Sequence, residues 1–404
     1  MLESIKQKFK EIIQNRKLIV CFVIVFVLLF VDIVLGIISG DLVLQLPEQN
    51  EASRWSTDKR MAQISLFFTE DQKIDETFIK RMEYVMEGAM SDAGIIEEKD
   101  NKSKVIIDTQ KLGEDNPDSE EETDDSQVYT SSFCAQGLVS ITFENKTAEN
   151  VTAIGTSGDF FLFHPLELVS GNYYDGNSLM KDSIVIDEDL SWQLFGSSDV
   201  AGQMVMIGNV PHYVAGVVKR EEGRIREASG LSNTMVYLSY DSLCKYGEIL
   251  SGRNSSEEIS EDGVTALTGG INCYEVVMPN PVDGIAAQIV KKASGLDDRY
   301  IQVVDNTDRF SFISLFKVLS SFGTRSMWSK AIYYPYWENT ARGYEDILAL
   351  ILGIRLICRI TVTLILVVLI VISYKNKKWT VSGIVQKLSD KKYDFEVKCK
   401  QKKS

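Results

Sequence analysis

Two histidines, six cysteines and seven prolines are all that 404 residues contain of these types. So few histidines and cysteines leave little for a metal site. So few prolines, together with 27 glycines in no fixed period, exclude collagen-like and low-complexity polymers. No G-x-x-x-x-G-K-S/T motif occurs anywhere, so any ATP hydrolysis would belong to a partner. Basic residues are the minority, 43 Lys and Arg against 57 Asp and Glu for a net charge of -14, which argues against nucleic-acid binding by general electrostatics. Apolar residues are plentiful at 45%, enough for a sizeable core and too many for disorder.

The charge is unevenly placed. Residues 1–17 carry Lys6, Lys8, Lys10, Arg16 and Lys17 against Glu3 and Glu11, a net of +3. Residues 374–404 carry ten lysines against Asp390, Asp394 and Glu396, a net of +7, which leaves -24 between the two ends. Basic ends around an acidic middle suggest a membrane protein with both termini in the cytoplasm.

Leu18 to Ile38 is a run of twenty-one residues with one charge. At about 1.5 Å per residue it matches a hydrocarbon core about 30 Å thick. Its length and the lack of an A-x-A-like site argue against a cleaved signal peptide. A second apolar stretch covers 347–373, with Arg355 and Arg359 in its first half and the basic run YKNKK after it. The expected layout is therefore a basic amphipathic cytoplasmic segment at 1–17, transmembrane helix 18–38, an extracytoplasmic region at 39–346, transmembrane helix 347–373 and a lysine-rich cytoplasmic tail at 374–404. Ile5, Phe9, Ile12 and Ile13 alternate with the basic residues of the first segment, a pattern suited either to anionic lipid or to a cytoplasmic partner.

Asp32 requires an explanation, because a lone carboxylate in hydrocarbon is costly. It lies 14 residues after Leu18, and Arg359 lies 14 residues before Ser373, so the two are matched in depth. One reading is a structural intramembrane pair of Asp32 with Arg359, with Arg355 one turn nearer the outer surface. The alternative leaves the arginines snorkelling to outer headgroups, with Asp32 protonated or facing a partner subunit.

Between the spans, MAQISLFF at Met61–Phe68 fits a strand, and Phe78, Ile79, Met82, Val85, Met86 and Ala89 recur at helical spacing. A short strand is expected at Val105–Ile107, an acidic solvated loop at Gly113–Ser126, and paired strands at Gly137–Phe143 and Val151–Ile154. Asp187 is positioned to cap a helix containing Leu190, Trp192 and Phe195, with Gly196 ending it. Gly202–Ile207 and Tyr213–Val218 read as a hairpin with a somewhat long loop at Gly208–Pro211. Residues 220–270 read as an inserted second lobe, Cys273–Met278 as a strand, Val282–Ala293 as a helix and Ile301–Val304 as a strand. Phe310–Lys330 reads as a returning helix, and the aromatic stretch Tyr333–Asn339 as reaching the membrane boundary. The fold class is α+β, one sheet covered by helices.

The order LELVSGNYYDG, SIVIDEDLSWQLFG, AGQMVMIG and HYVAGVVK resembles the MacB-type periplasmic core domain of ABC transporter permeases. The resemblance implies a two-lobed extracytoplasmic domain between transmembrane helices. It also implies a permease-like subunit working with an ABC ATPase and a second permease chain or homodimer, driven by nucleotide-dependent movement of the membrane helices. Family members typically carry three helices after the domain, where this sequence shows one, which puts independent transport in doubt. The competing reading is a non-transporting, membrane-anchored interaction or sensing protein that keeps the outer domain.

An enzyme is not expected, and no cofactor or metal is implied. His164 and His212 sit in segments explained by folding, outside any motif that supplies a nucleophile or general acid. Cys134, Cys244 and Cys273 are an odd set of three outside the membrane. One disulfide among them is an option, and buried or unpaired thiols are the simpler reading.

Overall fold

The computed structural model describes residues 16–56, 60–96, 128–259, 265–325, 327 and 329–375. The expected strand at 105–107, the acidic loop at 113–126, residues 1–15 and nearly all of the tail at 374–404 lie outside the described residues. The chain divides into two compact units, Met1–Ser39 with Ile351–Ser404, and Gly40–Leu350.

The first unit is built on the greater part of two long helices, α1 over Arg16–Leu44 and a carboxyl-terminal helix over Tyr336–Lys375. Both are long and apolar enough to cross a membrane. Most of the large apolar side chains from Ile19 to Ile38 and from Ile354 to Ile372 face outward, as expected of surfaces whose solvent is lipid.

The second unit is organised by one eleven-stranded mixed sheet. Its elements in chain order are β1 (Met61–Phe68), α2 (Glu76–Asp92), β2 (Thr130–Phe143), β3 (Lys146–Gly158), β4 (Leu168–Gly171), β5 (Ser183–Asp187), α3 (Glu188–Leu194), β6 (Met204–Ile207), β7 (Val210–Val218), β8 (Met235–Ser239), α4 (Tyr240–Tyr246), β9 (Glu248–Ile249), β10 (Asn254–Ile259), β11 (Thr265–Gly269), β12 (Ile271–Pro279), α5 (Ile285–Ser294), β13 (Ile301–Asp305) and α6 (Phe312–Ser320). The carboxyl-terminal helix is α7. The main path through the sheet runs β13-β1-β12-β2-β3-β8-β5-β7-β4, with β6 and β9 pairing at its side. Neighbours on the path are antiparallel except β3 with β8 and β5 with β7.

Strand period explains how one sheet carries two different faces. All eight residues of β1 are buried. Ala62, Ile64, Leu66 and Phe68 enter the larger core, where Ile79, Met82, Met86 and Met90 of α2 and Ala286, Ile289, Val290 and Ala293 of α5 cover the sheet. Their alternates Gln63 and Ser65 are buried and polar, and Phe67 joins a second cluster with Cys134, Cys273, Tyr334, Tyr336 and Trp337. The same alternation on β12 sends Tyr274, Val276 and Met278 to the helical side and Cys273 to the other.

Local signals match the sequence well at several helix ends. The Asp75 carboxylate accepts from the Phe78 amide at 2.9 Å and starts α2. The Asp187 carboxylate accepts from Leu190 N at 2.7 Å and, with its other oxygen, from Met235 N at 3.0 Å, so it caps α3 and ties it to β8. Removing it leaves two donors short of a partner. Asp187→Ala should cost about 2 kcal/mol, read as a lowered midpoint of thermal unfolding.

Three expectations change. The hairpin of β6 and β7 closes through two residues, Gly208 and Asn209, because both adopt positive φ (58° and 64°), the geometry a tight twisted hairpin requires. Pro211 and His212 therefore lie within β7. Within segment 220–270, β8 occupies the middle of the large sheet, and β10 and β11 form a separate two-stranded sheet. The returning helix is confined to α6, nine residues long. Finally, the aromatic stretch does not face a membrane boundary, since Tyr334, Tyr336 and Trp337 are buried in the second cluster. The apolar carpet beneath β12 and β2 supplies a better burial site for these rings than an interface would.

The cysteines are free thiols among the described residues, and Cys134 faces Cys273 across the β2–β12 register. Burial raises the pKa of Cys273 and pushes that of Cys244 up to about 12. Cys134, Cys244 and Cys273 should resist maleimide in the folded chain and label fully in denaturant, as read by intact mass.

Candidate functional site: buried charge at the roots of the helices

In the unit made of the two helical spans, Asp32 of α1 meets both arginines of α7. Arg355 Nε donates to Asp32 Oδ1 at 2.9 Å, and Arg359 Nε lies 3.1 Å from Oδ2 and 3.2 Å from Oδ1. Gly36, one turn beyond Asp32, leaves room for this arrangement. A Cβ there would stand 3.0 Å from Arg355 Nη2.

The second unit holds more charge than its burial would suggest, on the face of the sheet opposite α2 and α5. His164 follows the one-turn helix Phe160–Phe163 and has no exposed surface. Its Nε2 lies 2.6 Å from Glu275 Oε2 on β12. Its Nδ1 lies 3.6 Å from Glu48 Oε1, too far for a hydrogen bond yet close enough for strong attraction. Burial alone would lower the imidazole pKa, but Glu275 and Glu48 outweigh it and push the value up to about 10. The ring is thus an imidazolium at neutral pH.

Its neighbours tie several elements together. The Glu275 carboxylate accepts from Ser65 Oγ at 2.8 Å, and Ser65 Oγ accepts from Asn306 Nδ2 at 2.8 Å. The buried Gln63 amide donates to Glu48 O and accepts from Glu51 N. Trp337, in the first turn of α7, packs against the His164 ring at a centroid distance of 4.1 Å. Tyr336 and Tyr237 bring their hydroxyls to 3.2 Å. Residues just after α1, three sheet strands and the first turn of α7 therefore meet in one buried polar cluster.

A second cluster lies further along α7. Arg309 grips Glu338 with two nitrogens, Nη1 to Oε2 at 2.7 Å and Nη2 to Oε1 at 3.0 Å, and its Nε reaches Glu345. Arg342 donates to Glu338 Oε1 at 2.8 Å and lies over the Tyr334 ring at 3.7 Å. Arg325 pairs with Glu345 and Asp346. Burial works against the charge on Glu338, yet Arg309 and Arg342 hold its pKa below the usual carboxylate range. A cleft of about 790 Å³ opens beside this cluster.

Sequence reasoning singled out Asp32, Arg355 and Arg359, which the structure brings together, and did not find His164, Glu275, Glu48, Arg309, Glu338 or Glu345 as partners. His212, the other histidine, is buried and lies 3.1 Å from Ser242 Oγ. Among the described residues no group of three or more His, Cys, Asp or Glu could hold a metal ion.

The model of the family described as MacB-like periplasmic core domain matches residues 63–292, more than half of the chain. The chain belongs to that family. Relatives of this MacB-like domain include the macrolide export ATP-binding/permease protein MacB of Agrobacterium fabrum, 25% identical over 44% of this chain and 25% of that protein. Another is a probable export ATP-binding/permease protein of Pseudomonas fluorescens, 33% identical over 26% of this chain and 16% of its own length. The chain spans about a quarter or less of the curated relatives it matches. A solved structure, the periplasmic region of MacB from Actinobacillus actinomycetemcomitans, superposes with a TM-score of 0.34 at 13% identity, covering 62% of this chain and 92% of that one. The MacB-like domain is flanked by two long apolar helices. The protein is thus a multi-pass membrane protein, its large domain outside the cytoplasm and both termini inside.

Proposed function

We propose that the chain is a permease-like membrane subunit of an ABC-type transport or mechanotransmission complex, powered by a partner ATPase, and that its outer domain moves as one body with the roots of its helices. The observation that carries this reading is the buried His164–Glu275–Glu48 cluster with Trp337. A swivelling joint is built from few buried contacts and solvated hydrogen bonds. Here the first turn of α7 is instead locked into the sheet by aromatic packing and paired charge, which transmits displacement rather than absorbing it. Asp32 with Arg355 and Arg359 plays the corresponding part between the spans: each charge offsets the desolvation of the others and fixes the depth and rotation of α1 against α7. The names of the relatives, which combine export, ATP-binding and permease functions, support a chain whose movement is coupled to nucleotide hydrolysis.

Affinity purification of the full chain from its native membrane in mild detergent tests the assignment. The expected result is an ABC ATPase in stoichiometric yield and ATP hydrolysis by the complex. Recovery of the chain alone, or with non-ATPase envelope proteins, while known complexes survive the same extraction, would replace this reading with that of a membrane-anchored interaction or sensing protein.

Asp32→Leu should strand both arginines in the bilayer. Loss of chain from the membrane fraction, several-fold relative to the wild type, is the expected outcome. Recovery is expected when Arg355 and Arg359 are replaced by leucine as well.

A further inference from the structure

The segment between β13 and α7 leaves an apolar face uncovered on α6, and its continuation past the helix, at Phe322 and Met327, lines the mouth of the cleft beside the Arg309 cluster. On α6, Leu315 is buried, whereas Phe312, Ile313 and Phe316 are 56%, 67% and 50% exposed. The rings of Phe312 and Phe316 lie nearly parallel, 6.3 Å apart, one turn after another on the same side. Phe322 and Met327 extend the exposed apolar set past the end of the helix. Five large apolar side chains within sixteen residues, four of them half exposed or more, exceed the scattered exposure normal for a soluble surface.

The position of this segment identifies what covers it. Arg325 is paired with both Glu345 and Asp346, and Asp346 is followed directly by Ile347, the first residue of a charge-free run that lasts to Ile354 on α7. The carboxyl-terminal end of this segment is therefore anchored within about one helical turn, roughly 5 Å of rise, of the point where α7 becomes membrane-compatible. Lys317 follows Phe316 and is exposed, so the face also offers a cation suited to lipid phosphate. We infer that α6 and the segment to Met327 form an interfacial anchor whose Phe312, Ile313, Phe316, Phe322 and Met327 side chains insert into the outer-leaflet headgroup region of a phospholipid bilayer. The amphipathic helix lies along the surface and carries no spanning role. It holds the outer domain at a fixed height independently of any ATPase partner, and the inference rests on the membrane location of the chain alone.

The test places p-benzoylphenylalanine at position 316 of the full chain, reconstituted in vesicles of phosphatidylcholine and phosphatidylglycerol, with the same probe at position 84 as a control. Tyr84 is 74% exposed on α2, away from this face. After irradiation, intact mass should show lipid adducts at least tenfold more abundant at 316 than at 84. The probe at position 313 repeats the measurement, so that one poorly folded variant does not decide the matter. Crosslinking of 316 and 313 to a second copy of the chain, or lipid adducts no more frequent than at 84, would overturn the inference. Because no ATPase is present in the vesicles, these outcomes are separate from the success or failure of the partner assignment.

Discussion

Replacing His164 by alanine should destabilise the outer domain by roughly 3–5 kcal/mol, the typical cost of leaving a buried charge without its partner. The loss would fall on Glu275, which has 3% side-chain exposure and would retain Ser65 Oγ as its remaining donor. In a thermal melt of the detergent-purified chain this corresponds to a fall on the order of 10 °C. His164→Gln keeps a donor and some volume and should lose less.

The pH dependence provides a sharper signature. The His164 pKa stands at about 10 in the folded chain, above its ordinary value of 6.5. The folded state therefore binds the proton more tightly than the unfolded state. Stability from this source is complete below pH 6.5 and is lost as the pH rises through 10. Wild-type chain should melt progressively earlier across that window, and His164→Gln should show a flatter profile there while matching the wild-type slope at lower pH. Parallel slopes in the two proteins would mean that the imidazole is not held as a cation.

The second large effect is expected at Arg309. Its side chain is 4% exposed and holds two carboxylates, so Arg309→Met leaves Glu338 and Glu345 facing each other with one cation fewer. Repulsion and desolvation then act together, and a loss of roughly 3–5 kcal/mol is expected. Combining Arg309→Met with Glu338→Gln removes the stranded charge and should recover a substantial part of that loss. A double-mutant cycle on the unfolding midpoints measures the coupling directly. Additive effects would show that Glu338 is held chiefly by Arg342 instead.

These two clusters mark the limit of what the sequence shows. β1 spans Met61–Phe68, the apolar segment read from sequence, because a run of β-favouring residues bounded by polar ones needs no distant information. The same holds for Asp187, whose capping partner lies three residues away. For Asp32 the sequence offered a depth match with Arg359, because a bilayer would impose one scale on both helices, and it left the pair and the snorkelling arginines as two open readings. His164 and Glu275, by contrast, are separated by 111 residues, and nothing local marks either as half of a buried pair. β12 does place Glu275 between Tyr274 and Val276, as the one charged residue in a largely apolar strand. That isolated carboxylate was the one available signal. The aromatic stretch before α7 misled for a related reason: tyrosine and tryptophan suit an interface and a core equally, and only the distribution of buried area over the whole sheet decides between them.

The central claim is that the outer domain and the helix roots move as one body when a partner ATPase turns over. Paired spin labels in the purified complex test it: one pair at positions 44 and 84 reports between the end of α1 and α2 of the outer domain, and a second pair has one label at 84 and the other on the partner ATPase. Trapping the ATPase in its hydrolytic state should shift the second distance distribution and leave 44–84 unchanged. A change in 44–84, or none in either pair, would contradict the account.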